Sequence, residues 1–175
     1  MQPNLDNLKK KINENRDFID KITSKLPGFQ GYVEKDELYR ADKIIRGFIT
    51  DAIQKYKNEV NNLSGSMFRG GMMKSLSGLE MVNNNLERVL KKCEYADFGS
   101  SSSASGIKIG DEDRNRLLEY DWRLITSAEQ LKENLDKLAS AKEEEVEGLA
   151  NEFIAKIREF EKSFDDRKNI IMEVI

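Results

Sequence analysis

Asp121 is the residue whose position most invites a chemical reading. In DEDRNRLLEYDWRLI, residues 111–125, helical steps place it about 40° from Leu117 and about 60° from Leu124, inside an apolar stripe. A buried carboxylate must find a partner or take up a proton, because an unpaired charge away from water costs several kcal/mol. Arg40 and Arg46 flank the apolar stripe of an earlier helix on opposite sides and can reach inward on apolar stems. The expectation is therefore an ion pair between Asp121 and one of these arginines, with Tyr39 or Trp122 as neighbouring donors. A buried pair that fixes helix register is favoured over a catalytic carboxylate.

Few other residues offer chemistry. The chain has no histidine and one cysteine, which removes a histidine general base, histidine metal ligands, a zinc knuckle and any intrachain disulfide. Cys93 falls on an apolar stripe and reads as a buried, inert thiol. Glu143, Glu144, Glu145 and Glu147 form an acidic run without the ligand-spaced loop a hard cation needs. RGGMMKS lacks the spacing of a phosphate loop. No cofactor, metal or catalytic residue is expected, and the chain reads as non-enzymatic.

The elements that must carry these residues are helices. Apolar positions recur at threes and fours in five segments. The first, about 4–26, carries Leu5, Leu8, Ile12, Ile19, Ile22 and Leu26; the second, about 33–63, carries Ala41, Ile45, Phe48, Ala52, Tyr56, Val60 and Leu63, with Gly65 as its expected stop. The third, about 71–97, aligns Leu76, Leu79, Val82, Leu86, Leu90 and Cys93. A Gly/Ser-rich loop at 99–110 precedes the fourth, 111–139, which Asp111 is expected to cap. The fifth, 141–173, carries Val146, Leu149, Phe153, Ile157, Phe160, Phe164 and Ile171, and the Ser140-x-x-Glu143 spacing of a capping box predicts a break before it. No strand alternation or internal repeat is present. A single all-α domain, an antiparallel bundle of four or five long amphipathic helices over 1–175, follows.

Residues 25–49, KLPGFQGYVEKDELYRADKIIRGFI, set Pro-Gly, a second Gly and two aromatics before a run of alternating charge. Pro27-Gly28 suits a type II turn, Gly31 permits a second turn, and Phe29 and Tyr32 can fold over a bundle end. The reading is an interhelix corner, followed by Asp36–Arg40 and Asp42–Arg46 pairs on a solvated face. Recognition of a small anionic ligand by Lys35, Arg40, Lys43 and Arg46 is the alternative.

The positions Pro27, Gly28, Gly31, Tyr32, Arg40, Ala41, Asp42, Lys43 and Arg46, with Tyr120 and Asp121 later, resemble an uncharacterised bacterial all-helical family. That family pairs a PGxxGY…RxADKxxR stretch with a short tyrosine-glycine hinge and an acid-rich helix. The resemblance covers about 25–49 and 95–125, and the Ser-rich 99–105 insert departs from the hinge. It implies a helical fold and brings no activity, cofactor or catalytic residue.

Composition limits the partners. Hydrophobic residues make up 38% of the chain and charged residues 35%, a balance suited to long amphipathic helices. Residues 111–175 hold 18 acidic against 11 basic side chains, while residues 1–62 hold 10 acidic against 12 basic. No basic stripe exists to neutralise phosphates, so nucleic acid is not an expected partner. The polar N-terminus and the lack of a long apolar run argue for a cytoplasmic protein. SMFRGGMMKSL, residues 66–76, concentrates Met67, Phe68, Met72 and Met73 around two glycines beside Arg69 and Lys74. The expected function is a scaffold or interaction protein, with these residues as partner contacts and self-association as a natural version. A membrane-peripheral protein attached through the same loop is the alternative.

Overall fold

A computed structural model of the chain describes residues 17–34, 38–96 and 110–174. The stretch 4–16, Lys35, Asp36, the loop at 99–109 and the side chains of Tyr32 and Tyr39, all named above, lie outside the described residues. The fold is all-α. Its helices are α1 (17–25), α2 (Phe29–Glu34), α3 (Leu38–Arg69), α4 (Leu76–Tyr95), α5 (Asp111–Ala139) and α6 (Glu143–Val174), with a 3-10 turn, Met73–Ser75, leading into α4. Where sequence reasoning expects one domain, contacts divide the chain into two compact units. Unit 1 comprises 1–45, 97–123 and 167–175; unit 2 comprises 46–96 and 124–166. Helices α3, α5 and α6 each contribute to both.

In unit 1, the Pro27-Gly28 corner has the expected turn. The Phe29 N–H donates to the Leu26 carbonyl at 3.1 Å, and Gly28 has φ +89°, a conformation glycine adopts without steric cost. The second turn expected at Gly31 is not formed: Gly31 lies within the short helix α2 and has no positive φ. Phe29 is buried, as are Ile22, Leu26, Ile45, Leu117, Leu118 and Ile171 of this unit.

Unit 2 contains two helical hairpins, α3–α4 and α5–α6. The first turns through a Schellman motif. Met72 N–H donates to the Met67 carbonyl at 2.9 Å, Gly71 N–H to the Phe68 carbonyl at 3.1 Å, and Gly71 has φ +79°. Helix α3 therefore passes through Gly65, its expected stop, because the left-handed residue that ends it is Gly71. Its buried stripe also differs from expectation. Ile45, Ile49, Ile53, Tyr56 and Val60 are buried, whereas Phe48, Ala52 and Leu63 sit half-buried at the edge. The isoleucines at 49 and 53 keep the three-four spacing from Ile45 to Val60.

The α5–α6 hairpin breaks at 140–142, but not through the expected capping box. Ser140 Oγ donates back to the Asp136 and Lys137 carbonyls at 3.1 and 3.2 Å, serving the end of α5. The Lys142 N–H instead donates to Glu145 Oε2 at 2.9 Å, the reciprocal half of a box moved two residues on. Asp111 is the first helical residue of α5 rather than its cap. With Glu112 and Asp113 it places acid at the positive end of the helix dipole.

The hairpins lie side by side, with like-directed helices adjacent. From α4 to α6, Gly78 faces Ala150, Arg88 pairs with Glu161 at 2.6 Å and Lys92 with Asp165 at 2.7 Å, both series ascending together. A Cβ on Gly78 would come within 3.2 Å of the Ala150 Cβ, so the helices approach where one lacks a side chain. Lys132 of α5 reaches Glu59 of α3 at 3.1 Å, and Lys57 of α3 pairs with Glu87 of α4. Both hairpin turns therefore meet at one end of the unit, where the Lys74 N–H donates to Glu143 Oε1 at 3.2 Å.

Candidate functional site

The most concentrated buried chemistry lies in unit 1, where three helices each bring one ionisable side chain into the core. Asp42 comes from α3, Asp121 from α5 and Arg167 from α6, with exposures of 6%, 2% and 1%. Arg167 meets Asp121 side-on: Nε donates to Oδ1 at 2.5 Å and Nη2 to Oδ2 at 3.2 Å. Its Nη1 donates to Asp42 Oδ1. The planar fork thus spans two carboxylates, a geometry that guanidinium supplies and ammonium does not.

One guanidinium thereby bridges two carboxylates. Burial pushes the Asp121 carboxyl above its ordinary 3.8 and the Asp42 charge adds to that, against the opposing pull of Arg167. Burial works against the charge on Arg167, but Asp121 and Asp42 more than offset it and hold the guanidinium protonated. With its charges sealed from water and bonded across three helices, the cluster has the form of a structural clamp joining α3, α5 and α6.

Asp121 is therefore ion-paired, as its place in the stripe requires, but to a different cation. Arg167 takes the role expected of Arg40 or Arg46. Arg40 is exposed, and Arg46 is half-buried in α3 with its charge felt by Cys93. Asp42, read from sequence as a surface partner of Arg46, is inside the cluster. Trp122, the expected donor, instead has Lys25 Nζ over its ring, 5.9 Å from the centroid.

Sequence reasoning missed Arg167 although a signal was present. The α6 stripe runs Phe160, Phe164 and then Ile171. A helix cannot leave seven residues without an inward position, and 167 fills that gap.

The Met/Phe loop forms the α3–α4 hairpin turn, and the structure divides its four named residues. Met67 is buried at 4% exposure and Met72 is half-buried, as the ends of a Schellman turn usually are. Phe68 and Met73 are 59% and 58% exposed. Arg69 and Lys74 beside them are also exposed.

Cys93 is fully buried, and loss of solvation pushes its thiol up to about 12. A thiolate nucleophile is disfavoured there. Within the acidic run, Glu143 and Glu145 each accept a backbone N–H, from Lys74 and Lys142. Among the described residues no group of three or more Asp, Glu or Cys is placed to hold a metal ion, and no helix is long and apolar enough to cross a membrane. No protein-family model, curated protein or solved structure matches the chain.

Proposed function

We propose that the chain is a non-enzymatic interaction protein that docks a protein partner through the α3–α4 turn. The observation that carries this reading is the pair Phe68 and Met73, both more than half exposed on a turn whose backbone is held by two Schellman hydrogen bonds. Burying an exposed side chain of this size is worth about 1.5–3 kcal/mol. A turn already fixed in shape loses less entropy when it binds. Met67, buried beneath the same turn, anchors it. The resemblance to an uncharacterised bacterial helical family and a cytoplasmic location belong to this proposal and add no activity to it.

Exposed Arg69 and Lys74 favour a second reading, attachment to an anionic membrane surface. Against it stand Glu143, Glu144, Glu145 and Glu147 at the adjoining start of α6, which an anionic bilayer would repel. A small anionic ligand at Arg40 and Arg46 has less support, since Arg40 is exposed whereas Arg46 is half-buried.

A photo-crosslinking residue placed at position 68 in the native cell tests the reading, with position 152 as an exposed control on α6. Protein adducts specific to position 68 are expected. Equal labelling from both positions would contradict the proposal, and lipid adducts confined to position 68 would favour membrane attachment.

A further inference from the structure

We infer that the occupant of this turn is a second copy of the same chain, docked end to end about a two-fold axis. The 68–74 turn of each copy then lies against the 142–147 helix start of the other. The inference rests on the interaction reading above and names its partner.

The two segments sit side by side at the same end of unit 2, joined by the hydrogen bond from Lys74 N–H to Glu143. They differ in charge. The α3–α4 turn carries Arg69 and Lys74; the start of α6 carries Glu143, Glu144, Glu145 and Glu147 against Lys142 alone. Along the sides of unit 2, charges pair across helices, as in Arg88–Glu161, Lys92–Asp165 and Lys132–Glu59. At the tip, the Lys74 ammonium and the Glu144 and Glu147 carboxylates are exposed and make no ion pair among the described residues.

A surface with an apolar basic half and an acidic half is complementary to its own image. Rotation by two-fold symmetry sets basic on acidic twice, and encloses Phe68 and Met73 of both copies between the pairs. Docking without that exchange sets Arg69 and Lys74 against their own kind. A bundle tip is small beside the roughly 1,200 Å² that standard interfaces bury, so the association is weak and reversible. Exposed charge pairs are screened over about 8 Å at physiological salt, so it weakens further as salt rises.

Sedimentation velocity over rising concentration tests this on the full chain. The unaltered chain should show a reversible increase in average mass toward twice that of one chain, diminished at high salt. Phe68→Ser with Met73→Ser should hold the mass at one chain. So should Arg69→Glu with Lys74→Glu, and separately Glu144→Lys with Glu147→Lys, each retaining the helical circular dichroism of the parent. An equimolar mixture of the two charge-reversed variants should recover the increase, because their reversed charges are again complementary. A constant single-chain mass for the parent, an increase kept by either reversed variant alone, or no recovery on mixing would each overturn the two-fold contact. Position-68 crosslinks to a different protein would leave the docking reading standing after that failure; loss of position-specific protein adducts would remove both.

Discussion

The cluster in unit 1 and the ion pairs along unit 2 use the same side chains under opposite conditions. Arg167, Asp42 and Asp121 are almost wholly sealed, with one guanidinium bridging two carboxylates. Arg88, Lys92, Glu161 and Asp165 alternate in sign along the α4–α6 seam, and the Arg88 side chain is 50% exposed. Burial makes the first set costly to disturb; water and salt make the second cheap. The pH response separates them as well. Asp121 is pushed up, whereas at Glu161 the effect of burial is outweighed by hydrogen bonds from Arg88 and Lys92, which hold its carboxyl below the ordinary value. The lesson is that a charge inside a helical protein is assigned to stability or to surface by its surroundings and not by its type.

The largest effect is expected from Arg167→Met, which leaves Asp121 buried without its cation. A loss of about 3–5 kcal/mol is expected at pH 7 in chemical denaturation, partly regained on acidification as Asp121 is neutralised. Asp121→Asn should cost less, about 1–3 kcal/mol, because Arg167 keeps Asp42 and the amide oxygen can still accept from the guanidinium.

Acidification should act with opposite sign on the two regions. With its folded pKa raised above 3.8, Asp121 contributes stability that is fully present at lower pH and is lost as pH rises through the raised value. With its folded pKa lowered below 4.5, Glu161 contributes stability present above 4.5 and lost as pH falls through the folded value. Melting temperature against pH for the parent, Asp121→Asn and Glu161→Gln should show these two components disappear separately. Carbon-13 titration of both side chains checks the directions site by site.

The smallest effect is expected from Arg88→Ala, about 0.2–1 kcal/mol in low salt. In about 1 M salt that cost should vanish while the cost of Arg167→Met persists, because screening reaches the exposed seam and not the sealed cluster. Equal salt sensitivity in the two variants would remove the distinction.

Much of the architecture was legible in the sequence, because long three-four periodicity has no other reading. Helix α5 has the expected bounds, and Leu117 and Leu124 of its apolar stripe are buried. Errors arose where local signals compete. Gly65 resembles a helix stop, yet the left-handed conformation that closes this helix belongs to Gly71. Ser140 resembles a cap, yet it bonds backward to the helix it follows.

The cluster was half legible. Asp121 declared itself by breaking a stripe, but its partner depends on which helices adjoin, and periodicity within one helix carries no such information. Arg40 and Arg46 flank an apolar stripe and so look able to reach inward, whereas the inward position at 167 is marked only by a missing apolar residue. The turn at 67–73 was recognised by composition; that Met67 would be buried and Phe68 exposed is set by the Schellman geometry, which composition does not specify.

The central claim is that the buried charges are structural and take no part in function, and that the proposed partner contact lies at the exposed turn. Replacing the cluster as a whole tests it most directly, with Asp42→Leu, Asp121→Leu and Arg167→Met combined in one chain and position 68 carrying the crosslinker. Apolar side chains of similar volume often replace a buried charge cluster with no loss, or with a gain of about 1–4 kcal/mol. The triple variant should melt at or above the parent temperature and keep its position-68 protein adducts. A folded triple variant that has lost those adducts would show that the charges themselves take part in function.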